Sequence, residues 1–245
     1  MLRMPLTSMT AAVIALSLVS ASRAVSPYLP GDESWFWHYE GLGTQRSVTV
    51  LTPILVHGEE VVRLDHVQTG ADPDAWENYW SDDGSRVYLH GFTNWSGVPL
   101  TLTYDPPILW VDPPLFAGKT WTASTDVYED LAGKIPAGFS FLIEFRVTEA
   151  DLLEVPAGKF PAHRIEYEVL ASPRPTTLTG EQVAPGRGTF YPYRWEAAGV
   201  GVVRDNLGAT GYVDLTSFGS TVSVESISFS DLKGWYRAAR PEVAR

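Results

Sequence analysis

The chain is dominated by a strict alternation of apolar and polar residues, the pattern of half-buried β-strands. Phe139, Phe141, Ile143, Phe145 and Val147 share one face of such a run, whereas the residues between them are mostly polar. Similar runs cover residues 48–56, 98–104 and 163–169. Turns rich in Gly, Asp and Pro separate the runs, and no long stretch of the mature chain has a helical period. The pattern predicts roughly ten to twelve antiparallel strands.

A weak internal repeat suggests how these strands are organised. Gly31–Trp35 opens the first run of strands, and Gly118-Lys-Thr-Trp121 opens a second one. Trp80 and Trp195 each precede a turn that contains glycine. We therefore expect two related β-meanders that share one core. The two halves are predicted to cover about residues 31–105 and 115–230.

The predicted fold is all-β and antiparallel, with the two meanders forming a curled sheet, a half-barrel or a sandwich. Residues 25–230 are expected to be a single domain, in which the proline-rich segment Pro106–Pro114 is the crossover. A few short helices are also expected, and the candidates are Asp72–Asn78 and Asp231–Arg240. Residues 231–245 form a tail that contacts an envelope partner or frays.

The first residues indicate export. Arg3, the apolar run Thr10–Val19 and the small residues of Ser22-Arg23-Ala24 together have the pattern of a cleaved signal peptide over residues 1–24. No later stretch approaches the length of a transmembrane segment. The chain contains no cysteine, so it has neither disulfides nor a lipoprotein anchor on cysteine. The predicted location is therefore periplasmic or secreted.

Four short motifs give the chain a family resemblance. They are Gly31–Tyr39, Gly118–Trp121, Leu153–Phe160 and Trp195–Val202. With them the chain resembles a family of exported bacterial β-meander proteins that have no assigned activity. The resemblance implies an all-β fold and an exported location, with no cofactor and no catalytic residue. The chain departs from the pattern at Ala198, where proline is expected, and in the insert Asp130–Gly138.

Charge and motif content argue against several kinds of chemistry. The chain has 29 acidic and 18 basic residues and a formal net charge of −11, which disfavours nucleic acids as partners. The five histidines lack the spacing of metal ligands, and they are His38, His57, His66, His90 and His163. The acidic pairs at 72–74 and 82–83 are typical of turns rather than of a calcium loop. No nucleophile motif is present, so we expect no catalytic residue, metal or cofactor.

The abundance of aromatic residues is the remaining functional signal, because the chain has nine Trp, eleven Tyr and ten Phe. Trp35, Trp121 and Trp195 are expected in the core. Aromatic residues near predicted loops are the candidate ligand contacts, namely Trp76, Tyr79, Trp80 and Trp95. The leading hypothesis is non-catalytic binding of a small apolar or glycan ligand. The alternatives are an envelope interaction module that acts through its loops, and a hydrolase without a recognisable motif.

Overall fold

The structure is a computed structural model that describes residues 28–29, 34–71, 73–172, 192–206 and 211–220. Within these ranges the chain forms twelve strands and no helix. The strands are β1 (Trp35–Gly41), β2 (Thr44–Val56), β3 (Glu59–Gly70), β4 (Asp74–Asp82), β5 (Val87–Asn94), β6 (Leu100–Val111), β7 (Thr120–Tyr128), β8 (Pro136–Val155), β9 (Gly158–Ser172), β10 (Tyr193–Ala197), β11 (Gly201–Asn206) and β12 (Tyr212–Ser220). Each strand pairs with the next one along the chain, and β1 also pairs with β12.

The sheet therefore closes into an antiparallel barrel. This confirms the expected all-β, antiparallel fold and makes it more specific than a curled sheet, half-barrel or sandwich. Closure depends on β1, which pairs with β2 on one side and with β12 on the other, from Trp35–Ser220 to Glu40–Asp214. No helix in the described part of the chain is long and apolar enough to cross a membrane.

The predicted helix at Asp72–Asn78 is wrong, because β4 occupies Asp74–Asp82. Trp76 pairs with His66 of β3 on one side and with Asn94 of β5 on the other. Two neighbouring ladders thus satisfy the backbone groups that a helix would have bonded internally. The second predicted helix, at 231–240, lies outside the described residues, as do the segments 1–24 and 173–191.

The predicted crossover at Pro106–Pro114 is also corrected, because its first half belongs to β6. Pro106 and Pro107 fall where the β5–β6 ladder shifts, between the pairs Gly91–Thr103 and Leu89–Ile108. Proline has no N–H to donate, so a strand accepts it where the ladder is interrupted. The link between the two halves is therefore the shorter segment 112–119.

The inner face of the barrel carries one continuous apolar core. Trp37 of β1, Val48 of β2 and Phe145 of β8 belong to it, together with inward-facing residues of the other strands. A second, smaller cluster consists of Val56, Val61 and Tyr79. Since Tyr79 and Trp80 are neighbours in β4 and Trp80 lies in the main core, the second cluster lies on the opposite, outer face.

Two long hairpins bend so that their tips reach strands further along the chain. At the β2–β3 tip, the His57 N–H donates to the Leu131 carbonyl at 2.8 Å, and the His57 ring bonds Thr103 of β6. At the β8–β9 tip, the Ala157 N–H donates to the Leu215 carbonyl of β12 at 3.0 Å. The tip of the β2–β3 hairpin is thus bonded to β6, and the tip of the β8–β9 hairpin is bonded to β12.

The positions of the repeated tryptophans correspond between the two halves. Trp35 and Trp121 lie in β1 and β7, and Trp80 and Trp195 lie in β4 and β10, so both pairs are six strands apart. Trp195 is buried, and Trp35 and Trp121 are half-buried against the core. The duplication itself and its boundaries stay a prediction.

Candidate functional site

The four aromatic residues predicted to contact a ligand do not come together at one surface. Trp76 lies on the inner face, because it pairs with His66, which in turn pairs with the core residue Val48. Trp95 lies just beyond the end of β5, where its N–H donates to the Ala75 carbonyl and its side chain is 48% exposed. These two are therefore near each other at one end of the barrel.

Tyr79 and Trp80 are both buried, and they face opposite sides of β4. The Tyr79 hydroxyl and the Thr93 hydroxyl form a hydrogen bond of 2.5 Å beneath the outer cluster. Trp80 packs edge-on against Trp110 inside the barrel, with ring centroids 5.8 Å apart. The role of all four aromatic residues as ligand contacts stays a prediction.

Ionic side chains that sequence analysis passed over extend into the barrel from one end of the sheet. Arg46 of β2 is buried, pairs with Asp205 of β11 at 2.5 Å and donates to Gln68 of β3 at 3.1 Å. Its guanidinium also lies 5.1 Å from the ring centroid of Trp76. Alternation alone would place apolar residues at these inward positions. Only the register of the neighbouring strands shows that Arg46 faces the interior.

His66 is the second inward-facing residue that contacts Trp76. Its ring stacks on Trp76 with centroids 4.7 Å apart and planes 12° apart, and Asn78 lies 3.3 Å from its Nε2. Burial, reinforced by the nearby Arg46 charge, lowers the pKa of His66 to about 3. His66 is therefore neutral at physiological pH. Its ring packs on Trp76 and bonds to Asn78.

A second buried ion pair lies beside the first on the inner face, since Arg194 is directly opposite Asp205 in the β10–β11 ladder. Arg194 and Glu196 of β10 are 2.9 Å apart, and both side chains are more than nine-tenths buried. The Arg194 guanidinium also lies 4.6 Å from the Trp110 ring centroid. Burial raises the pKa of Glu196 to about 7, with Arg194 opposing the shift and Asp205 adding to it.

A groove with a volume of about 530 Å³ lies along β7, β8 and β9, lined by outward-facing polar residues and by three aromatic residues that belong to the core or pack on it. Its lining residues are Thr120, Trp121, Thr122, Glu144, Phe145, Arg146, Glu166, Tyr167 and Glu168. A volume of this size lies within the range typical of small-ligand sites, about 300–1,000 Å³. The groove is thus a concave feature large enough for a ligand.

The polar side chains of the groove form two parallel rows. Thr120, Arg146 and Glu166 lie side by side on three strands, because Arg146 pairs with both of the others. The next row is Thr122, Glu144 and Glu168. A third row continues the same face with Ser124, Leu142 and Leu170. The two leucines are directly opposed and each is 40% exposed, which gives the polar rows an apolar border.

Two pairs of a hydroxyl and a histidine lie on the outer face, and neither forms a catalytic triad. Ser81 bonds Nε2 of His90 at 2.8 Å, but the nearby Glu59 carboxylate lies 3.9 Å from that same nitrogen. In a triad the acid holds the other nitrogen.

Thr103 is the second such hydroxyl. It is fully buried, donates to the Asp130 carbonyl at 2.7 Å and bonds His57 at 2.7 Å. The Thr103 hydroxyl is buried and already hydrogen-bonded to two groups. This pair therefore holds the β2–β3 hairpin tip in place and does not present a nucleophile.

In the acidic turn at 82–83, the carboxylate of Asp83 accepts hydrogen bonds from backbone N–H groups of the same turn. The Asp83 carboxylate accepts hydrogen bonds from the N–H groups of Ser85 and Arg86, at 3.0 and 2.8 Å. These bonds lower the pKa of Asp83 to about 2, with the Arg86 N–H contributing most. Within the described ranges, no three His, Asp or Glu side chains are placed to share a metal ion.

Comparison with known proteins adds little to this description. No protein-family model matches the chain, and no curated protein matches it. One similar solved structure is described as "a putative lipoprotein" from Parabacteroides distasonis, with 14% identity, a TM-score of 0.41, and coverage of 78% of this chain and 98% of that one. Another is described as "a putative exported protein with YmcC-like fold" from Bacteroides fragilis, with 14% identity, a TM-score of 0.42, and coverage of 80% and 100%. Likenesses this distant carry no argument about function.

Proposed function

We propose that this protein is an exported, non-catalytic binding protein whose ligand is a glycan held in the groove across β7, β8 and β9. The observation that carries the proposal is the groove itself, in which six polar side chains form two rows on one face of three paired strands. Export is inferred from the signal-peptide pattern of residues 1–24.

The lining of the groove supports a glycan rather than an apolar ligand. Thr120 and Thr122 supply hydroxyls that both donate and accept, the three glutamates accept, and Arg146 donates. Sugar hydroxyls require this mixture of donors and acceptors. The exposed Leu142 and Leu170 at the border offer an apolar surface of the kind that packs against the C–H face of a sugar ring.

The dimensions of the three rows also suit a short oligosaccharide. Successive rows are two residues apart along a strand, or about 6.6 Å, and neighbouring strands are about 4.8 Å apart. Three rows on three strands therefore span about 13 Å by 10 Å. A patch of this size corresponds to two or three sugar units.

One feature of the groove favours the hydrolase alternative instead. Glu144 and Glu168 are directly opposed across the β8–β9 ladder. Glycoside hydrolases act through two carboxylates that flank the scissile bond. The proposed test therefore includes analysis of the oligosaccharide after incubation, because a binding protein leaves it intact and a hydrolase shortens it.

The test is isothermal titration of the purified protein with defined hexasaccharides of glucose, N-acetylglucosamine and mannose. We expect at least one to bind, and Glu168→Ala to weaken that binding about 10- to 100-fold, since a hydrogen bond to a charged group contributes about 1.5–3 kcal/mol. Glu149→Ala is the matched control, because Glu149 is 51% exposed on β8 and outside the groove.

Two results would refute the proposal. One is that none of the hexasaccharides binds at millimolar concentration. The other is that Glu149→Ala weakens binding as much as Glu168→Ala does, which would place the ligand elsewhere.

A further inference from the structure

In the barrel interior, Trp80 and Arg194 each contact Trp110, and the proposed glycan site uses none of these three residues. Trp80 meets Trp110 edge-on at 5.8 Å between centroids, and the Arg194 guanidinium lies 4.6 Å from the Trp110 centroid. Trp80 and Arg194 are 8% and 7% exposed. These groups project from the inner face of the sheet, whereas the polar rows of the groove project from the outer face.

Three N–H donors in this group are buried without a hydrogen-bond partner. They are Nε1 of Trp80, Nε1 of Trp110 and Nη2 of Arg194, for which no described residue supplies an acceptor. Nε of Arg194 and Oε2 of Glu196 are likewise buried without a hydrogen bond, although Nε lies 2.9 Å from Oε1 of Glu196 as an ion pair. Each unpaired buried polar group costs about 1–3 kcal/mol, so three of them would consume a large share of an ordinary folding free energy of about 5–15 kcal/mol. A guest that hydrogen-bonds these groups would remove this cost.

The chemistry of the donors restricts what this guest can be. An indole N–H and a guanidinium can only donate, so the guest has to supply acceptor oxygens. A carboxylate suits the planar guanidinium, which binds it through two parallel hydrogen bonds.

The local charge is set by two arginines and two carboxyl groups. Arg46 pairs with Asp205 at 2.5 Å and Arg194 pairs with Glu196, while Asp205 also lies directly opposite Arg194 in the β10–β11 ladder. Because burial raises the pKa of Glu196 to about 7, this carboxyl group is partly protonated at neutral pH and compensates Arg194 incompletely.

A closed barrel of twelve strands is wider than a barrel that side chains just fill. Eight strands leave an interior that side chains just fill, while 16–18 strands leave a water-filled channel, so twelve strands lie between these cases. Asp205, on the inner face near the ends of β2 and β11, is 30% exposed, which shows that solvent reaches the interior from that end.

We propose that the barrel interior between Trp80, Trp110 and Arg194 is a binding site for a small carboxylate anion. The anion would accept hydrogen bonds from both indole N–H groups and from the guanidinium. This proposal is tested separately from the glycan proposal, with a different ligand and different variants, although Phe145 and Tyr167 of the groove also pack on Trp110.

The test is NMR of the full chain labelled with ¹⁵N, in which the nine tryptophans give nine indole N–H signals. Trp80→Phe and Trp110→Phe assign the two signals of interest while keeping most of the ring packing. Sodium acetate then replaces sodium chloride at constant ionic strength. We expect these two signals to shift together and saturably, with a common half-saturation concentration, while the signal of the exposed Trp95 stays in place.

Variants separate a site from a general salt effect. Trp110→Phe should weaken acetate binding about 5- to 10-fold, because it removes one donor. Arg194→Met should abolish the shift of the Trp80 signal, whereas Arg86→Met should leave it unchanged, since Arg86 is 52% exposed and pairs with Asp112. If Arg194→Met fails to fold, Trp110→Phe still decides the question.

Two outcomes would overturn the proposal. In one, acetate moves neither signal, and magnetisation transfer shows that only bound water contacts the two N–H groups. In the other, all nine indole signals shift in parallel without saturation, which is the behaviour of a bulk salt effect.

Discussion

At the scale of single residues, Trp121 shows how one side chain bridges an opening in the sheet. β6 and β7 pair only around Thr103–Asp105 within the described chain and then diverge. The Trp121 indole N–H spans the opening and donates to the Leu109 carbonyl of β6 at 3.0 Å. The ring also stacks on Phe145, with centroids 5.0 Å apart and planes 4° apart.

Trp121→Phe should therefore lower the free energy of unfolding by about 1 kcal/mol or somewhat more, the contribution of one hydrogen bond. Phenylalanine keeps the stacking on Phe145 but has no N–H. Trp95→Phe is the control, since Trp95 is 48% exposed, and it should change stability by less than about 0.5 kcal/mol. Urea denaturation of the three proteins measures the difference, and equal losses in the two variants would contradict this role.

Glu196 predicts a pH dependence of stability. Burial raises its pKa from 4.5 to about 7, so across this window the folded protein retains a proton that the unfolded chain has released. The contribution of Glu196 to the unfolding free energy should thus fall as pH rises from about 4.5 to 7 and level off above 7. A shift of this size corresponds to a decline on the order of 3 kcal/mol in that contribution. His66 acts in the opposite direction below pH 6.5, because its lowered pKa keeps it neutral in the folded protein while the unfolded chain takes up a proton.

Glu196→Gln tests this assignment, because glutamine keeps the shape and cannot titrate. Between pH 4.5 and 7 the unfolding free energy of the variant should fall less with pH, or rise more, than that of the wild type, although loss of the partner of Arg194 lowers stability at every pH. Glu149→Gln, which removes an exposed partner of Arg164, should keep the wild-type slope. Denaturation curves collected at several pH values supply the slopes, and an unchanged slope in Glu196→Gln would refute the assignment.

At the scale of elements, the β2–β3 hairpin depends on how tightly its tip is held. The His57 ring is bonded to Thr103 and lies edge-on to Tyr128, with centroids 5.1 Å apart. A Cβ added to Gly133, in the turn between β7 and β8, would lie 2.9 Å from this ring. The ring cannot move aside without breaking these contacts.

Gly133→Ala should therefore destabilise the protein more than Gly138→Ala. Both glycines have positive φ, +66° and +79°, so alanine at either costs about 1–2 kcal/mol of backbone strain. A Cβ at Gly138 meets nothing within 4 Å, whereas at Gly133 the clash should add roughly 1–3 kcal/mol. Thermal and urea unfolding of the two variants give the difference, and equal destabilisation would show that the hairpin tip is not held against this turn.

Individual strands show what the sequence could and could not predict. The alternation around Phe139–Val147 correctly indicated a strand, because one face of β8 packs on the core and the other faces solvent. The alternation did not predict that Arg46 and Arg194 face the interior. A charged residue in an alternating run is normally assigned to the solvent side, and only the register of the neighbouring strands shows that these two point inward. The groove was missed for a similar reason, because its residues come from three strands and only pairing makes them neighbours.

At the scale of the whole molecule, the barrel has one junction that is weaker than the rest. The β6–β7 ladder extends only from Thr103–Tyr128 to Asp105–Asp126 in the described chain, whereas the β8–β9 ladder extends from Ser140–Ser172 to Val155–Gly158. Fewer paired residues mean fewer hydrogen bonds to break in a local opening. We therefore expect the barrel to open first between β6 and β7.

A disulfide across this junction tests the expectation, and the absence of cysteine from the chain makes the engineered bond unambiguous. Asp105 and Asp126 are directly opposed, at a Cα separation that suits a disulfide. The double variant Asp105→Cys, Asp126→Cys should gain roughly 3 kcal/mol in the oxidised form. It should also slow hydrogen exchange of the β6 and β7 amides around the bond.

Two controls isolate the effect of closing the junction. Asp105→Ser with Asp126→Ser removes the two opposed charges without a crosslink. Leu142→Cys with Leu170→Cys crosslinks the extensive β8–β9 ladder across a loop of comparable length, so its stability gain should be similar. Only the β6–β7 crosslink should slow exchange at that junction, because only there does local opening precede global unfolding. If the β6 and β7 amides of the wild type already exchange as slowly as those of β8 and β9, the barrel opens as a single unit and the junction is no weaker than the rest.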